Sequence, residues 1–256
     1  MTLDRLRDAG FDVATRNHAE AILAHDFAEV TAALVSVLRG FRLTPRDIVA
    51  SGGGQAAGTM RLRNALYDAG WRKHEFVTRI TVDGVVREAI SHEVDHVRRT
   101  HPGTLALEIE WNNKDPFFDR DLENFQRLHA MSAISVGVVV TRGRALQGAL
   151  PHLVERALRD GGVRDAEALD GWGVKERTAR QRRAVEEAMV TGQDFAAAFA
   201  RHFVADKFGQ ATTHWDKLEA RVARGVGNPC PLLLLGLPLG AVGVAAPTAP
   251  ARDLFG

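Results

Sequence analysis

With one cysteine in 256 residues, Cys230, the chain has neither a disulfide framework nor a cysteine zinc site. Its ten histidines show no HExxH pair or other paired ligand spacing, which leaves histidine-rich metal chemistry without support. A dominant charge sign is missing too. Lys and Arg number 33 and Asp and Glu 32, giving a net +1, so no global basicity announces a nucleic-acid partner, although a local patch stays open. Long apolar runs are lacking: CPLLLLGLPLGAVGVAA is broken by prolines and glycines and is too short to span a bilayer, so no membrane partner is expected. The opening MTLDRLRDAGFDV holds no signal-peptide stretch, which predicts a cytoplasmic protein. SGGGQAAG is not followed by Gly-Lys-Ser/Thr, so a Walker loop and nucleotide hydrolysis are unsupported. The remainder, 45% hydrophobic and 25% charged, is ordinary globular composition with enough length for one large core.

What the chain does have is a change of hydrophobic period. Over 18–39, Ile22, Phe27, Val30, Leu34 and Leu38 fall near helical spacing. Thr44-Pro45-Arg46-Asp47 reads as a helix start, and a helix is predicted over 59–69, stopped by Gly70. The period then becomes two: 76–82 alternates, Asp83-Gly84 signals a hairpin, and the return strand runs through about position 97. Residues 105–111 add a third strand. A helix with the stripe Leu122, Phe125 and Leu128 follows, its first turn charged by Asp119-Arg120-Asp121, and AISVGVVVT over 133–141 fits a buried central strand. The C-terminal third reads as mainly helical (144–158, 173–190, 193–206, 212–223), with a strand at 231–235. The prediction is an α/β fold: a central mixed sheet built from a three-strand meander, a helix and a buried strand, flanked by helices. One domain over residues 1–244 is expected. It divides into a helical N-terminal region (residues 1–75), a core (76–145) and a mainly helical C-terminal region (146–244), and a flexible tail follows at 245–256.

The sharpest question lies in TLALEIEWNNKDPFFDRDLENFQ (104–126), an apolar strand pattern with Glu108 and Glu110 at its centre. Side chains alternate along a strand, so both acids share a face with Ala106 and Asn112, opposite Leu105, Leu107, Ile109 and Trp111. Two like charges there are costly unless a cation, a proton or water offsets them. On the preceding strand Ser91, Glu93, Asp95 and Val97 share a face, and Asp95 can stand across from Glu108. Three converging carboxylates suit a hard divalent cation such as Mg²⁺. Such an ion polarises a phosphoryl oxygen and acidifies bound water, and a further carboxylate can orient or deprotonate that water. An arbitrary E-x-E is more often solvated or paired across a strand; the third acid and the Asn112-Asn113-Lys114-Asp115 turn set this one apart. A retaining glycosidase is disfavoured, because neighbours at i,i+2 lie side by side rather than flanking a sugar.

Asp95, twelve intervening residues and Glu108-Ile109-Glu110 resemble the metal-site motif of the PD-(D/E)xK nucleases, most of all the BglII, BstYI and BamHI group of type II restriction endonucleases. SHEVDHV and LALEIEWNNKDPFFDRDLENFQRLHAMSAISVGVVVTRG strengthen the likeness, which covers 76–145 well and the rest in general character. The resemblance implies a PD-(D/E)xK nuclease core in which Asp95 and Glu108 hold metal. Glu110 stands where the superfamily usually has lysine, a departure that resembles BamHI, where this position is also glutamate, and that implies a general base or a ligand to a second ion. A fourth, upstream residue is implied as well: Glu75, Asn64 and Glu88 are candidates, and Glu75 is preferred for its position. Mg²⁺ is the implied cofactor, with Mn²⁺ substituting and Ca²⁺ binding without supporting cleavage. The implied activity is hydrolysis of double-stranded DNA at a short palindrome, GATC-centred by the same likeness. A homodimer would cut one strand per subunit in a bacterial cytoplasm, and a cognate DNA methyltransferase would be its genetic partner. A repair or structure-specific nuclease of the same fold, and a non-catalytic DNA-binding protein, are the competing readings.

A nuclease must hold a polyanion. Lys114 follows the acidic strand, and Asn112 and Asn113 suit phosphate or adenine, though the four-residue run is also good turn chemistry. Thr141, Arg142 and Arg144 leave the end of the buried strand, and by the resemblance they lie near the major groove, where either arginine suits guanine. The cations from Lys175 to Arg183 read as a solvated helix face. Amides of Ser51-Gly52-Gly53-Gly54-Gln55 can approach phosphate. His92, His96 and His101 flank the acids and read as structural.

Overall fold

Six consecutive apolar or β-branched residues, Val136 to Thr141, make a strand that can be covered on both faces, and in the computed structural model β5 (Val136–Arg142) is buried throughout. The structure describes residues 2–50, 56–174 and 177–243; the glycine loop of 51–55, Lys175 and the tail of 245–256 lie outside the described residues. Around β5 stand β1 (Asp12–Arg16), β2 (Arg72–Val82), β3 (Val85–Arg99), β4 (Thr104–Glu110) and β6 (Leu232–Leu237), in the order β1-β6-β5-β4-β3-β2. β5 runs parallel to β4 and β6, and the other pairings are antiparallel, so the sheet is mixed as predicted.

The helices in chain order are α1 (Asp4–Asp8), α2 (Ala19–His25), α3 (Ala28–Gly40), α4 (Pro45–Val49), α5 (Ala57–Asp68), α6 (Phe117–Ala130), α7 (Arg144–Asp160), α8 (Ala179–Val190), α9 (Phe195–Phe208) and α10 (Trp215–Ala223). They bury their apolar stripes on the two faces of the sheet. On one face Leu105, Leu107, Val138 and Val140 share a core with Leu34 of α3, Leu66 of α5, Leu150 of α7 and Phe199 of α9. On the other, Ala106, Val139 and Leu234 share a smaller core with Leu122 and Phe125 of α6 and with Leu218 of α10. α6 approaches β5 so closely that a Cβ on Gly137 would stand 2.4 Å from the Phe125 ring, so glycine sets how near this helix comes to β5, the neighbour of the acid-bearing β4. Among the described residues no single helix is long and apolar enough to cross a membrane.

Three departures from the sequence expectation have physical reasons. β1 lies inside the stretch expected to be all helix, because DVATR has too little alternation to reveal an edge strand that pairing with β6 holds in place. The helix expected over 18–39 is two, α2 and α3, bent by 104° where Phe27 turns into the core. The helix expected from 173 starts only at Ala179, where Thr178 and Gln181 form a capping box.

The hairpin at Asp83-Gly84 is present with φ of 51° and 79°, both left-handed, as a type I′ turn requires. Near the root of this hairpin the β2–β3 register slips by one, from Arg72↔Val97 to His74↔Val94. The slip is a β-bulge, and it falls at Asp95-His96.

Candidate active site

Alternation along β4 puts Ala106, Glu108 and Glu110 on the α6 side of the sheet; Glu108 is 5% and Glu110 3% exposed. Glu110 pairs with Thr141 of the parallel β5, whose hydroxyl donates to the Glu110 carbonyl at 2.7 Å. The acids therefore stand at the carboxyl end of a parallel strand pair, where open α/β sheets build their sites.

The bulge in β3 decides what reaches them. Before it, His92 faces α6 and meets the Asn124 amide at 2.9 Å; after it, Val97 pairs with Ala106 on that same side. The two are five positions apart, an odd step, so the shared face expected for Ser91, Glu93, Asp95 and Val97 does not form. Glu93 points the other way and pairs with Lys73 at 2.6 Å. Asp95 sits in the bulge, one step beyond the His96↔Leu107 pair; its backbone N–H donates to the Glu108 carboxyl, and its own carboxyl is close enough to repel that group.

α6 brings an acid that strand spacing did not offer. Asp121 is completely buried, and its carboxyl stands in hydrogen-bond contact with that of Glu110. Arg120 grips Asp121 Oδ1 through Nε at 2.9 Å and Nη2 at 2.7 Å, and Nη2 also lies 3.7 Å from Glu110 Oε1. Asn113 Nδ2 donates to Glu110 Oε2 at 2.8 Å, while among the described residues Asp121 Oδ2 accepts from no N–H or hydroxyl group. Burial first, then the charges of Asp121, Asp95 and Glu110, pushes the Glu108 carboxyl well above the usual range. Burial and Asp121 push Glu110 up to about 8, and burial raises Asp121. Glu110 and Asp121 titrate as a pair.

Three buried carboxyls against one guanidinium leave room for two more positive charges. Among the described residues no three His, Cys, Asp or Glu side chains form a ready-made metal cage. A hard divalent ion such as Mg²⁺ needs only one or two protein carboxylates beside water and phosphate, so an all-oxygen donor set with an orphaned carboxylate oxygen fits one.

The other predicted residues fall differently. Glu75 is exposed, lies opposite Glu93 and faces away from Glu108 and Glu110; its preference as the fourth acid is corrected by the same alternation that turns Phe76 and His92 towards α6. Asn64 is exposed on α5, a helix that meets β3 through the Tyr67 hydroxyl, 3.4 Å from the Asp95 carbonyl. The Glu88 side chain lies outside the described residues. Lys114 is exposed and Asn112 half-buried, whereas Asn113 is engaged with Glu110.

The end of β5 is no open reading surface. Thr141 and Arg142 are buried, and Arg142 donates to Gln147 Oε1 and Thr212 Oγ1 at 2.8 Å each and to the Trp111 carbonyl. Arg144 is held by Asp216 at 2.7 Å and Glu219 at 2.5 Å. Asp121 had a legible signal: it lies three residues after Phe118 and four before Phe125, inside the apolar stripe rather than opposite it.

A mixed sheet fed by a meander and a β-α-β unit gathers these carboxylates where its central parallel strands end, an arrangement suited to metal-assisted hydrolysis. The family model described as restriction endonuclease BglII/BglIII matches residues 11–237, and the chain belongs to that family. It is thereby one of the restriction endonucleases, DNA-cutting hydrolases that use a divalent metal. No curated protein matches the chain.

Proposed function

We propose that the chain is a Mg²⁺-dependent type II restriction endonuclease that hydrolyses phosphodiester bonds at a short palindromic site in double-stranded DNA. The observation that carries this reading is the buried group of like-charged carboxyls at the end of β4, which has one arginine where two more positive charges fit. Asp95 and Glu108 would hold the ion, which when bound would supply polarisation of a phosphoryl oxygen and a more acidic water. Glu110 is the base: Asn113 fixes its orientation, and a carboxyl raised to about 8 is matched to taking the proton of the attacking water near neutral pH. That water's oxygen joins phosphorus as the bond to the leaving sugar oxygen breaks, and the departing oxygen takes a proton from solvent water to become a hydroxyl. Lys114, with Asn112 beside it, holds phosphate. A homodimer presents two such sites to the two strands of a palindrome. Mn²⁺ replaces Mg²⁺, Ca²⁺ binds without cleavage, and a methyltransferase of the same specificity protects the DNA of the bacterial cytoplasm in which this enzyme acts. The nuclease occupies one domain over residues 1–244.

Incubation of unmethylated lambda DNA with the protein in Mg²⁺, and separately in EDTA, tests this. Discrete Mg²⁺-dependent fragments are expected, and Glu108→Ala should lose cleavage by roughly a thousandfold, the equivalent of several kcal/mol of charge stabilisation, without a loss of folding. A smear would remove sequence specificity, and DNA left intact in Mg²⁺ would remove the nuclease.

A further inference from the structure

The fold answers the question of the fourth acid with a residue that the strand pattern does not contain. Asp121 reaches the site from α6, is 0% exposed and, among the described residues, has one carboxylate oxygen, Oδ2, that accepts from no N–H or hydroxyl group. A buried acceptor left unsatisfied costs about 1–3 kcal/mol, so its retention needs a reason. A structural ion pair with Arg120 is a poor one: the two are sequence neighbours on one helix, and the arginine is 52% exposed, a setting in which ion pairs contribute little. What Asp121 does engage across elements is Glu110, with Arg120 bridging the two carboxyls. The close approach of Phe125 to Gly137 fixes α6 at the distance that makes this contact possible.

We propose that Asp121 is a positioning residue of the metal site, the carboxylate that holds Glu110 in place and supplies the negative charge by which the site favours a divalent ion, in the place expected for Glu75. The proposal rests on the endonuclease reading above. Asn113 and Asp121 restrain the Glu110 carboxyl from two sides, and Arg120 holds Asp121 in turn, so the network ends on a solvent-facing guanidinium rather than in the core. Groups that hydrogen-bond to metal-site carboxylates change metal affinity by about 10–100-fold although they do not touch the ion. Asp121 meets that description; Glu75, exposed on the far face, does not.

Calorimetric titration of the full chain with Ca²⁺, paired with its melting temperature in EDTA, tests this without reference to cleavage. Asp121→Asn, nearly isosteric, should weaken Ca²⁺ binding about 10–100-fold while the melting temperature in EDTA stays level or rises; Glu75→Gln should leave both unchanged. Asp121→Asn with Ca²⁺ affinity within about twofold of the parent would overturn the proposal and leave the endonuclease reading standing. A lower melting temperature in EDTA, or failure to fold, would make Asp121 a structural residue and overturn it equally. A parent protein that binds no Ca²⁺ would overturn the metal-dependent reading itself, and the proposal with it.

Discussion

Two buried ionisable side chains of opposite type stand at adjoining strand ends: Glu110 closes β4, and Arg142 closes β5 one residue beyond Glu110's partner Thr141. The sequence makes them look alike, as polar residues leaving apolar strands, yet their surroundings differ in kind. Among the described residues Arg142 donates only to neutral partners, the Gln147 amide, the Thr212 hydroxyl and the Trp111 carbonyl, with the Trp111 and Phe208 rings 5.7 and 4.9 Å from its guanidinium. Burial lowers it to about 9, which leaves it charged at neutral pH with every interaction fixed by the fold. Glu110 sits among its own kind, beside Glu108 and Asp121, with one half-exposed arginine between them. A buried charge satisfied by fixed neutral groups belongs to the architecture. One crowded by like charges is complete only when something else binds.

The strongest test of that contrast in the folded state removes the arginine. Arg142→Met would leave the Trp111 carbonyl, Thr212 and Gln147 without their donor, and a loss of about 2–4 kcal/mol is expected, read from urea denaturation, with any loss of DNA binding equal on specific and random sequences. Unchanged stability together with a selective loss of specific binding would break the comparison and return Arg142 to base reading.

Next in size is a pH effect that should appear at one strand end and not at the other. Glu110 has a folded-state pKa of about 8, above its ordinary 4.5, so its contribution is fully present below pH 4.5 and is lost as pH rises through 8. Arg142 titrates near 9 when folded, so it contributes no slope below that. His96 works the other way. Burial lowers it to about 4, so it weakens the fold as pH falls from 6.5 towards 4 and is silent above 6.5. Melting temperatures in EDTA between pH 6.5 and 8 should therefore fall for the parent and fall less for Glu110→Gln. Added Ca²⁺ should raise the melting temperature more at pH 8 than at pH 6.5. Parallel curves for parent and variant would mean that Glu110 does not carry the buried proton.

Much of the fold and the heart of the site are legible in the residues alone. Alternation in TLALEIE and the apolar run of 133–141 define β4, β5 and the face that carries both glutamates, because a strand buried on one or both sides leaves few alternative patterns. The Asp83-Gly84 turn is legible because few other dipeptides accept two left-handed residues. The bulge at Asp95-His96 is not: one extra residue leaves no mark in composition, yet it reverses the face of the β3 residues just before it, Glu93 among them, and so removes Glu75, which pairs with Glu93, from the site. Asp121 reads in sequence as helix-terminal charge because that is the commoner use of an acid in a first turn. The roles of Arg142 and Arg144 are hidden because a strand end says nothing about which later helix will cover it; Thr212, Asp216 and Glu219 come from the far end of the chain.

The smallest predicted effects separate the two exposed cations nearest this contrast. Lys114 follows the acids at the mouth of the site and is exposed, so Lys114→Ala should weaken binding to specific and random DNA alike and reduce the salt dependence of binding by about one counterion. Arg144 is engaged by Asp216 and Glu219 on α10 in a partly exposed cluster, so Arg144→Ala should change stability by less than about 1 kcal/mol and leave DNA discrimination as it was. Competition binding at two salt concentrations reads both variants. If Arg144→Ala instead lost affinity for the cleaved sequence more than for random DNA, Arg144 would have to exchange its carboxylates for a base on binding. The end of β5 would then be a reading surface in the complex, and the division between an architectural strand end and a reactive one would hold only for the free protein.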